Sequence, residues 1–232
     1  MPPNKPVKIA GRPLIVGVIT TRDELRAAAR LPQPPDLFEL RLDCLVKESK
    51  IESGARRLRA PLIITARHPA EGGRNMLSDD LRRELLLRFL PIARLVDVEL
   101  RSARPFGTVL EQARRLGLGT IISFHDLKTT PSLGSLHAKA RRAAQLKPDL
   151  FKAATRTDTR IQLTILLRFL ASPSPNLPMA IMGLGRLGPI SRLLFAECGS
   201  ALIYAAIGRP QVEGQLNLQQ VRSWMGLSDR SV

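Results

Sequence analysis

The sequence predicts an α/β protein built as one (β/α)8 TIM barrel, and three features of the chain carry this prediction. Short apolar segments with the length of buried parallel strands alternate with amphipathic segments along the chain. Eight such strand-and-helix units can be counted, the number that a barrel needs. The 232 residues also fall in the range where barrels form single domains. We therefore expect one domain over residues 1–232, with residues 1–12 as an irregular N-terminal extension.

The predicted strands are apolar runs of six or seven residues bounded by polar or turn-forming residues. A doubly wound open sheet shows similar alternation, but no glycine-rich phosphate loop follows the first strand. The barrel is therefore preferred, and the open sheet is the alternative. In chain order, the strands are expected over residues 14–20, 37–43, 62–67, 94–100, 120–126, 149–155, 178–183 and 201–207.

The helices between these strands are recognised by their capping residues and amphipathic pattern. Thr21 and Asp23 precede a helix over residues 24–30, and Ser78 with two aspartates opens a helix over residues 78–88. Further helices are expected over residues 135–146, 160–170, 190–198 and 218–225.

The chain carries 36 lysines and arginines against 20 acidic residues, a formal net charge of +16. Such a charge is typical of nucleic-acid-binding proteins, but no basic tail or zinc-finger spacing accompanies it, and aromatic residues make up only 4%. The arginine pairs lie on amphipathic segments, which indicates solvated helix faces and no nucleic-acid partner. These pairs are Arg56–Arg57, Arg82–Arg83, Arg114–Arg115 and Arg141–Arg142.

No apolar run is long enough to cross a bilayer, and the N-terminal residues lack the apolar core of a signal peptide. We therefore expect a cytoplasmic protein with no membrane partner. Cys44 and Cys198 have no metal-ligand spacing and are expected to be buried free thiols.

A single lysine, Lys152, interrupts the apolar sixth strand. Burying an ammonium without a partner is costly, so such an amine tends to lose its proton and becomes a nucleophile towards carbonyl groups. Lys152 is therefore a candidate for imine formation. The alternative is that Lys152 lies at the end of the strand and its amine reaches water.

Other charged residues recur at alternate positions near the carboxyl ends of the predicted strands. Strand side chains alternate between the lumen and the helix layer, and barrel active sites form at the carboxyl ends, so these residues should line the barrel mouth. For any one of them, a structural ion pair is the alternative. They are Glu39, Arg41, Asp43, Arg67, Asp97, Glu99 and His125, and Arg192 joins them from beyond the glycine-rich turn (183–188) after the seventh strand.

Six short motifs occur in a fixed order along the chain, and together they resemble the type I 3-dehydroquinate dehydratases, Schiff-base enzymes of the shikimate pathway. The resemblance runs from about residue 13 to the C-terminus. It implies a (β/α)8 barrel that forms a homodimer and uses no metal or cofactor. The motifs are Glu-Leu-Arg-Leu-Asp (39–43), Arg67 with Glu-Gly-Gly (71–73), Ser-Phe-His-Asp (123–126), Phe-Lys-Ala-Ala (151–154), Gly-Pro-Ile-Ser-Arg (188–192) and Glu-Gly-Gln (213–215).

The resemblance also implies the role of each site residue. Lys152 would form an imine with the C3 ketone of 3-dehydroquinate, and His125 would remove the C2 proton and protonate the departing C1 hydroxyl in a syn elimination. Glu71 would orient His125, and Arg192 would bind the substrate carboxylate. Glu39, Arg41 and Arg67 would contact the ring hydroxyls, and Gln215 would close over the substrate. The product would be 3-dehydroshikimate.

The loop after the last strand departs from the family pattern. Many members have a serine there and the sequence Ala-Pro-Gly-Gln, whereas this chain has Gln-Val-Glu-Gly-Gln over residues 211–215, and Gln211 is not expected to replace the serine.

Two other functions remain as alternatives. A different Schiff-base barrel such as an aldolase would not need His125, Arg192 and Gln215 together, and a basic binding module would not need Lys152.

Overall fold

The computed structural model describes residues 12–172, 177–210 and 212–227, and it confirms the predicted barrel of parallel strands and helices. The predicted N-terminal extension (apart from Arg12) and Gln211 lie outside the described residues. The eight strands are β1 (Leu14–Ile19), β2 (Leu37–Arg41), β3 (Leu62–Thr65), β4 (Leu95–Glu99), β5 (Gly119–Asp126), β6 (Leu150–Arg156), β7 (Met179–Leu184) and β8 (Leu202–Ala206).

The helices predicted from caps and periodicity are present in the described part of the chain. Thr21 forms the expected cap, because its hydroxyl accepts from the backbone N–H of Glu24 and the Glu24 carboxylate accepts from the N–H of Thr21. No described helix is long and apolar enough to span a bilayer. The helices are α1 (Arg22–Arg30), α2 (Leu42–Leu45), α3 (Ile51–Ala55), α4 (Asp79–Phe89), α5 (Gly107–Arg115), α6 (Leu133–Ala144), α7 (Arg160–Ala171), α8 (Gly188–Glu197) and α9 (Leu218–Trp224).

Neighbouring strands pair in parallel from β8 through β1 to β7, so the sheet curls into a nearly closed ring. Between β7 and β8 no ladder of paired residues forms among the described residues. The backbone N–H of Ala201 donates to the carbonyl of Met179 at 2.7 Å, and the N–H of Ile181 donates to the buried hydroxyl of Ser200 at 3.0 Å. This seam closes the barrel with few hydrogen bonds.

Side chains that point into the ring form two distinct layers. The floor is apolar and is built from residues at the amino ends of the strands, including Leu37, Ile63, Leu95, Ile121 and Leu150. Two residues further along each of these strands the inward side chain is polar. These five buried residues are Glu39, Thr65, Asp97, Ser123 and Lys152.

Asp43 corrects the predicted second strand. The strand was expected to reach residue 43, but β2 ends at Arg41 and Asp43 lies in the first turn of α2. Its carboxylate accepts from the backbone N–H groups of Arg67 at 3.1 Å and Arg74 at 2.9 Å. Asp43 therefore holds the loop after β3 in place from outside the strand.

Replacing Ser200 with alanine tests the seam between β7 and β8. The substitution leaves the buried N–H of Ile181 without its acceptor, so we expect the free energy of unfolding to fall by about 1–3 kcal/mol. Chemical denaturation measures this change. Ser53→Ala is the matched control, because the Ser53 hydroxyl makes only an exposed bond to the carbonyl of Lys50. Equal stability of the two variants would contradict a role for Ser200 in the seam.

Candidate active site

Lys152 lies inside the ring of strands. Its amine donates to Asp97 Oδ2 at 2.8 Å and to Glu39 Oε1 at 3.2 Å, and it lies 4.2 Å from the centre of the Tyr204 ring. These partners come from β4, β2 and β8, none of which is a neighbour of β6 in the sheet. The alternative in which the amine reaches water is therefore wrong. The amine also has two carboxylate partners, so it differs from the unpartnered ammonium expected from the sequence.

Arg67 is the second cation of this layer. Its guanidinium makes two bonds to Asp97, at 3.0 and 3.1 Å, and further bonds to Glu99 at 3.0 Å and to the Ser123 hydroxyl at 2.7 Å. Burial alone would raise the pKa of Asp97, but the charges of Arg67 and Lys152 outweigh it and hold that pKa well below its usual range. Asp97 is therefore an anion shared by Arg67 and Lys152.

Arg82 extends this charge network through the wall of the barrel. It was expected on a solvated helix face, but it is 1% exposed, and that expectation is wrong. Its guanidinium pairs with Glu99 on one side and with Asp79 at 2.6 Å on the other, and it donates to the carbonyl of Ala66 at 2.8 Å. The alternating charges thus run from Lys152 at the lumen to the start of α4.

Arg41 lies higher in the mouth, and Asp43 binds it from the side. Its guanidinium donates to both Asp43 oxygens, at 2.9 and 2.8 Å, and to the carbonyl of Gly72 at 3.2 Å. Arg41 and Arg67 therefore both have carboxylate partners already. A ring hydroxyl would have to bind alongside these ion pairs without replacing them.

Glu71 and His125 form a separate pair at the rim. Glu71 Oε2 accepts from the backbone N–H of His125 at 2.9 Å and lies 3.0 Å from His125 Nδ1. Burial raises the pKa of Glu71 to about 7, and burial together with the charges of Arg67 and Lys152 lowers the pKa of His125 well below its usual value. The imidazole is therefore neutral in the free site. When Nδ1 donates to Glu71, Nε2 is available as a base.

The sheet register places His125 close to Lys152. Ser123 pairs with Lys152 and His125 pairs with Ala154, so His125 lies one inward layer above the amine on the neighbouring strand. The two residues predicted to carry the chemistry thus face the same lumen.

Arg192 is buried at the start of α8 and differs from the other buried arginines. Its Nε donates to the carbonyl of Gly214 at 3.1 Å, and its NH1 lies 3.4 Å from the carbonyl of Tyr204. Within the described ranges no carboxylate forms an ion pair with it, and burial lowers its pKa to about 10. An anionic ligand would supply the missing counter-charge.

Gln215 lies on the loop after β8, where Gly214 packs closely against Gly185. Gly214 has a φ of +80°, and a Cβ there would lie 2.5 Å from the carbonyl oxygen of Gly185. Glycine is therefore needed for the loop to pack against the turn before α8. The loop contacts Arg192 through the carbonyl of Gly214, and Gln215, the next residue, is buried.

Sequence reasoning missed Tyr204, although alternation along β8 could have found it because it occupies an inward position. Arg82 had no such signal, since its neighbour Arg83 is a more exposed arginine on the same helix.

No group of three or more His, Cys, Asp or Glu side chains in residues 12–172, 177–210 and 212–227 has the arrangement of a metal site. Both cysteines are free thiols, but Cys44 is only partly buried and Cys198 is exposed, so the prediction of a buried thiol is wrong for Cys198.

The chain is similar to known proteins over almost its whole length. The family model of type I 3-dehydroquinase matches residues 14–231. A 3-dehydroquinate dehydratase of Thermococcus gammatolerans is 32% identical over 218 residues, covering 93% of this chain and 99% of the relative. A 3-dehydroquinate dehydratase of Pyrococcus abyssi is 35% identical over 191 residues, covering 81% of this chain and 85% of the relative.

Solved structures agree with these relatives. The 3-dehydroquinate dehydratase of Geobacillus kaustophilus superposes with a TM-score of 0.85 at 25% identity, covering 94% of this chain and 91% of the other. A type I 3-dehydroquinate dehydratase of Clostridium difficile, described with covalently modified comenic acid, has a TM-score of 0.84 at 26% identity, covering 96% and 95%.

The fold, the family match and the relatives all lead to one assignment. The chain belongs to the type I 3-dehydroquinase family, and it is a hydro-lyase with 3-dehydroquinate dehydratase activity in the shikimate pathway.

Proposed function

We propose that the enzyme dehydrates 3-dehydroquinate to 3-dehydroshikimate by syn elimination through an imine formed on Lys152. One observation carries this mechanism: the Lys152 amine is held inside the lumen by Glu39 and Asp97, one layer below the imidazole of His125. The covalently modified ligand described for the C. difficile relative also supports a covalent step.

Imine formation begins with attack of the neutral Lys152 amine on the C3 carbonyl carbon, and the carbonyl oxygen leaves as water. The amine must lose its ammonium proton before it attacks, and His125 is the neutral base above it. The protonated imine is again a cation. It stays beside Asp97 and Glu39, so the same carboxylates stabilise the amine and the intermediate.

Elimination then uses His125 twice. Its Nε2 removes the C2 proton, and the electrons of the C–H bond move into the imine to give an enamine. The electrons return to expel the C1 hydroxyl, which takes a proton from the imidazolium and leaves as water. One histidine serves both steps from one face, which gives syn stereochemistry. Glu71 offsets the imidazolium charge between the two steps. Hydrolysis of the imine releases the product and restores Lys152.

Substrate recognition follows from the charges around the lumen. Arg192 has no carboxylate partner within the described residues, so the carboxylate of 3-dehydroquinate completes its ion pair. Glu39, Arg41 and Arg67 bind the ring hydroxyls, and Gln215 closes the site. The imine supplies the electron sink, so the reaction needs no metal or organic cofactor.

A homodimer and a cytoplasmic location complete the proposal. The family resemblance predicts the homodimer, and the absence of a membrane-spanning run or a signal-peptide core in the sequence predicts the location. Light scattering of the purified enzyme measures the oligomeric state, with twice the mass of 25.6 kDa as the expected result.

Borohydride trapping tests the imine at Lys152. Reduction in the presence of 3-dehydroquinate is expected to add one substrate-derived group to the protein, and proteolysis should map it to Lys152. The Lys152→Met variant should take up no label. Lys139→Met is the control, because the Lys139 amine lies over the ring of Phe124 away from the lumen. Labelling of Lys152→Met, or full activity of that variant, would contradict the mechanism.

Substitution of His125 separates imine formation from elimination. In His125→Ala we expect kcat to fall by about 10²–10⁴-fold, because the acid and base of the elimination are lost. Slow imine trapping on Lys152 should persist. His137→Ala serves as the control, since His137 packs edge-on against Phe169 in the helix layer. Unimpaired dehydration in His125→Ala would overturn the acid-base assignment.

The pH dependence of activity tests the role of Glu71. Its pKa of about 7 means that Glu71 is protonated below pH 7 and is a carboxylate above it, so activity should rise as pH increases through about 7. Glu71→Gln has no such ionisation and should lose this rise, with lower activity at pH 8. A pH profile of kcat/KM is the measurement, and the exposed Glu84→Gln variant is the control. An unchanged profile in Glu71→Gln would assign the rise to another group.

A further inference from the structure

Tyr204 has an unusual place in the molecule. It is the only tyrosine of the chain, and among the described residues it is the only aromatic residue in the cluster that fills the lumen. All seven phenylalanines pack instead in the layer between strands and helices. Tyr204 is 3% exposed, and the Lys152 amine lies over its ring. A polar aromatic side chain therefore borders the reacting nitrogen directly.

The hydroxyl of Tyr204 has no hydrogen-bond partner in the part of the chain that the structure describes. It is the only buried side-chain nitrogen or oxygen in the described ranges for which no partner is found. Buried hydroxyl groups are nearly always hydrogen-bonded, because leaving one unpaired costs stability. The substrate is a ring with several hydroxyl groups, and one of these would be the hydrogen-bond partner of Tyr204 when the substrate binds.

The surroundings of this hydroxyl make it a donor. Burial raises the pKa of Tyr204 well above its usual value, and the carboxylates of Glu39 and Asp97 raise it further, so the phenol keeps its proton. Glu39 is also a ligand of Lys152, and as a carboxylate it can only accept hydrogen bonds. A substrate hydroxyl that donates to Glu39 still needs a donor for its own lone pairs.

We infer that Tyr204 is a further substrate-binding residue, whose hydroxyl donates a hydrogen bond to the C4 hydroxyl of the substrate held on Lys152. This inference rests on the proposed imine mechanism. Of the two carbons next to the imine carbon, C2 carries the proton that is lost and only C4 carries an oxygen. That oxygen lies three bonds from the Lys152 nitrogen. Because this nitrogen lies over the Tyr204 ring, the C4 oxygen can come within reach of the Tyr204 hydroxyl.

The Tyr204→Phe variant tests the inference, because it keeps the ring beneath the amine and removes only the hydroxyl. We expect KM for 3-dehydroquinate to rise about tenfold, the worth of one hydrogen bond, with a smaller change in kcat. The melting temperature should stay the same or rise, since an unpaired buried group is removed. A merely structural hydroxyl would give the opposite pattern, with lower stability and unchanged KM.

A substrate analogue without the C4 hydroxyl identifies the bonded atom. For the 4-deoxy analogue, the wild type and Tyr204→Phe should have the same KM. If Tyr204→Phe raised KM equally for 3-dehydroquinate and for the 4-deoxy analogue, the assignment to C4 would be overturned. Leu202→Val is the matched control, because Leu202 points into the apolar floor two residues earlier on β8. Leu202→Val is expected to change stability but to keep the wild-type ratio of KM for the 4-deoxy analogue to KM for 3-dehydroquinate.

Borohydride labelling separates this inference from the mechanism on which it rests. If the wild type is not labelled at Lys152, the imine proposal fails and the Tyr204 inference fails with it. If Lys152 is labelled in both the wild type and Tyr204→Phe while KM is the same in both, only the inference about Tyr204 is overturned.

Discussion

The ion pairs of Lys152 with Asp97 and Glu39 are the constraint on which the rest of the barrel mouth depends. A buried ammonium requires counter-charges, and two buried carboxylates then require cations or donors of their own. Arg67 meets that need for Asp97, and the Thr65 hydroxyl donates to Glu39 at 2.9 Å. The buried charges of this layer therefore stabilise one another, and the imine is proposed to form among them.

The ion-pair network fixes most cations of the barrel mouth and leaves Arg192 without a carboxylate partner among the described residues. Arg67 and Arg82 share Glu99, and Arg41 is bound by Asp43, so these cations are fixed before any ligand binds. Arg192 has only carbonyl and sulfur contacts within the part of the chain that the structure describes. A preorganised site with one uncompensated positive charge favours an anion at one defined place.

The sequence predicted the place of residues that follow the alternation of a strand or the period of a helix, and it did not predict the place of residues that depart from them. Alternation along strands placed Glu39, Asp97 and Lys152 at the lumen, because a parallel sheet closed into a ring allows few other arrangements. Asp43 did not follow the period, since the chain leaves the strand two residues earlier and turns into a helix. Helix α5 was not delimited, since it has neither a side-chain cap nor a proline in its first turn like the one that marks the start of α8. Arg82 was missed because a helix pattern alone does not identify an arginine that is buried by an ion pair.

The seam between β7 and β8 has a mechanical consequence. The ring is held there by one backbone bond and the Ser200 hydroxyl, whereas a ladder of paired residues joins every other pair of neighbouring strands. Separating β7 from β8 breaks fewer hydrogen bonds than separating any other pair of neighbouring strands. Local opening of the barrel therefore costs the least free energy at this seam. The segments on either side lead to Arg192 and to the Gln215 loop. The barrel is therefore opened most easily next to the two segments that carry Arg192 and Gln215, the residues proposed to bind the substrate carboxylate and to close the site.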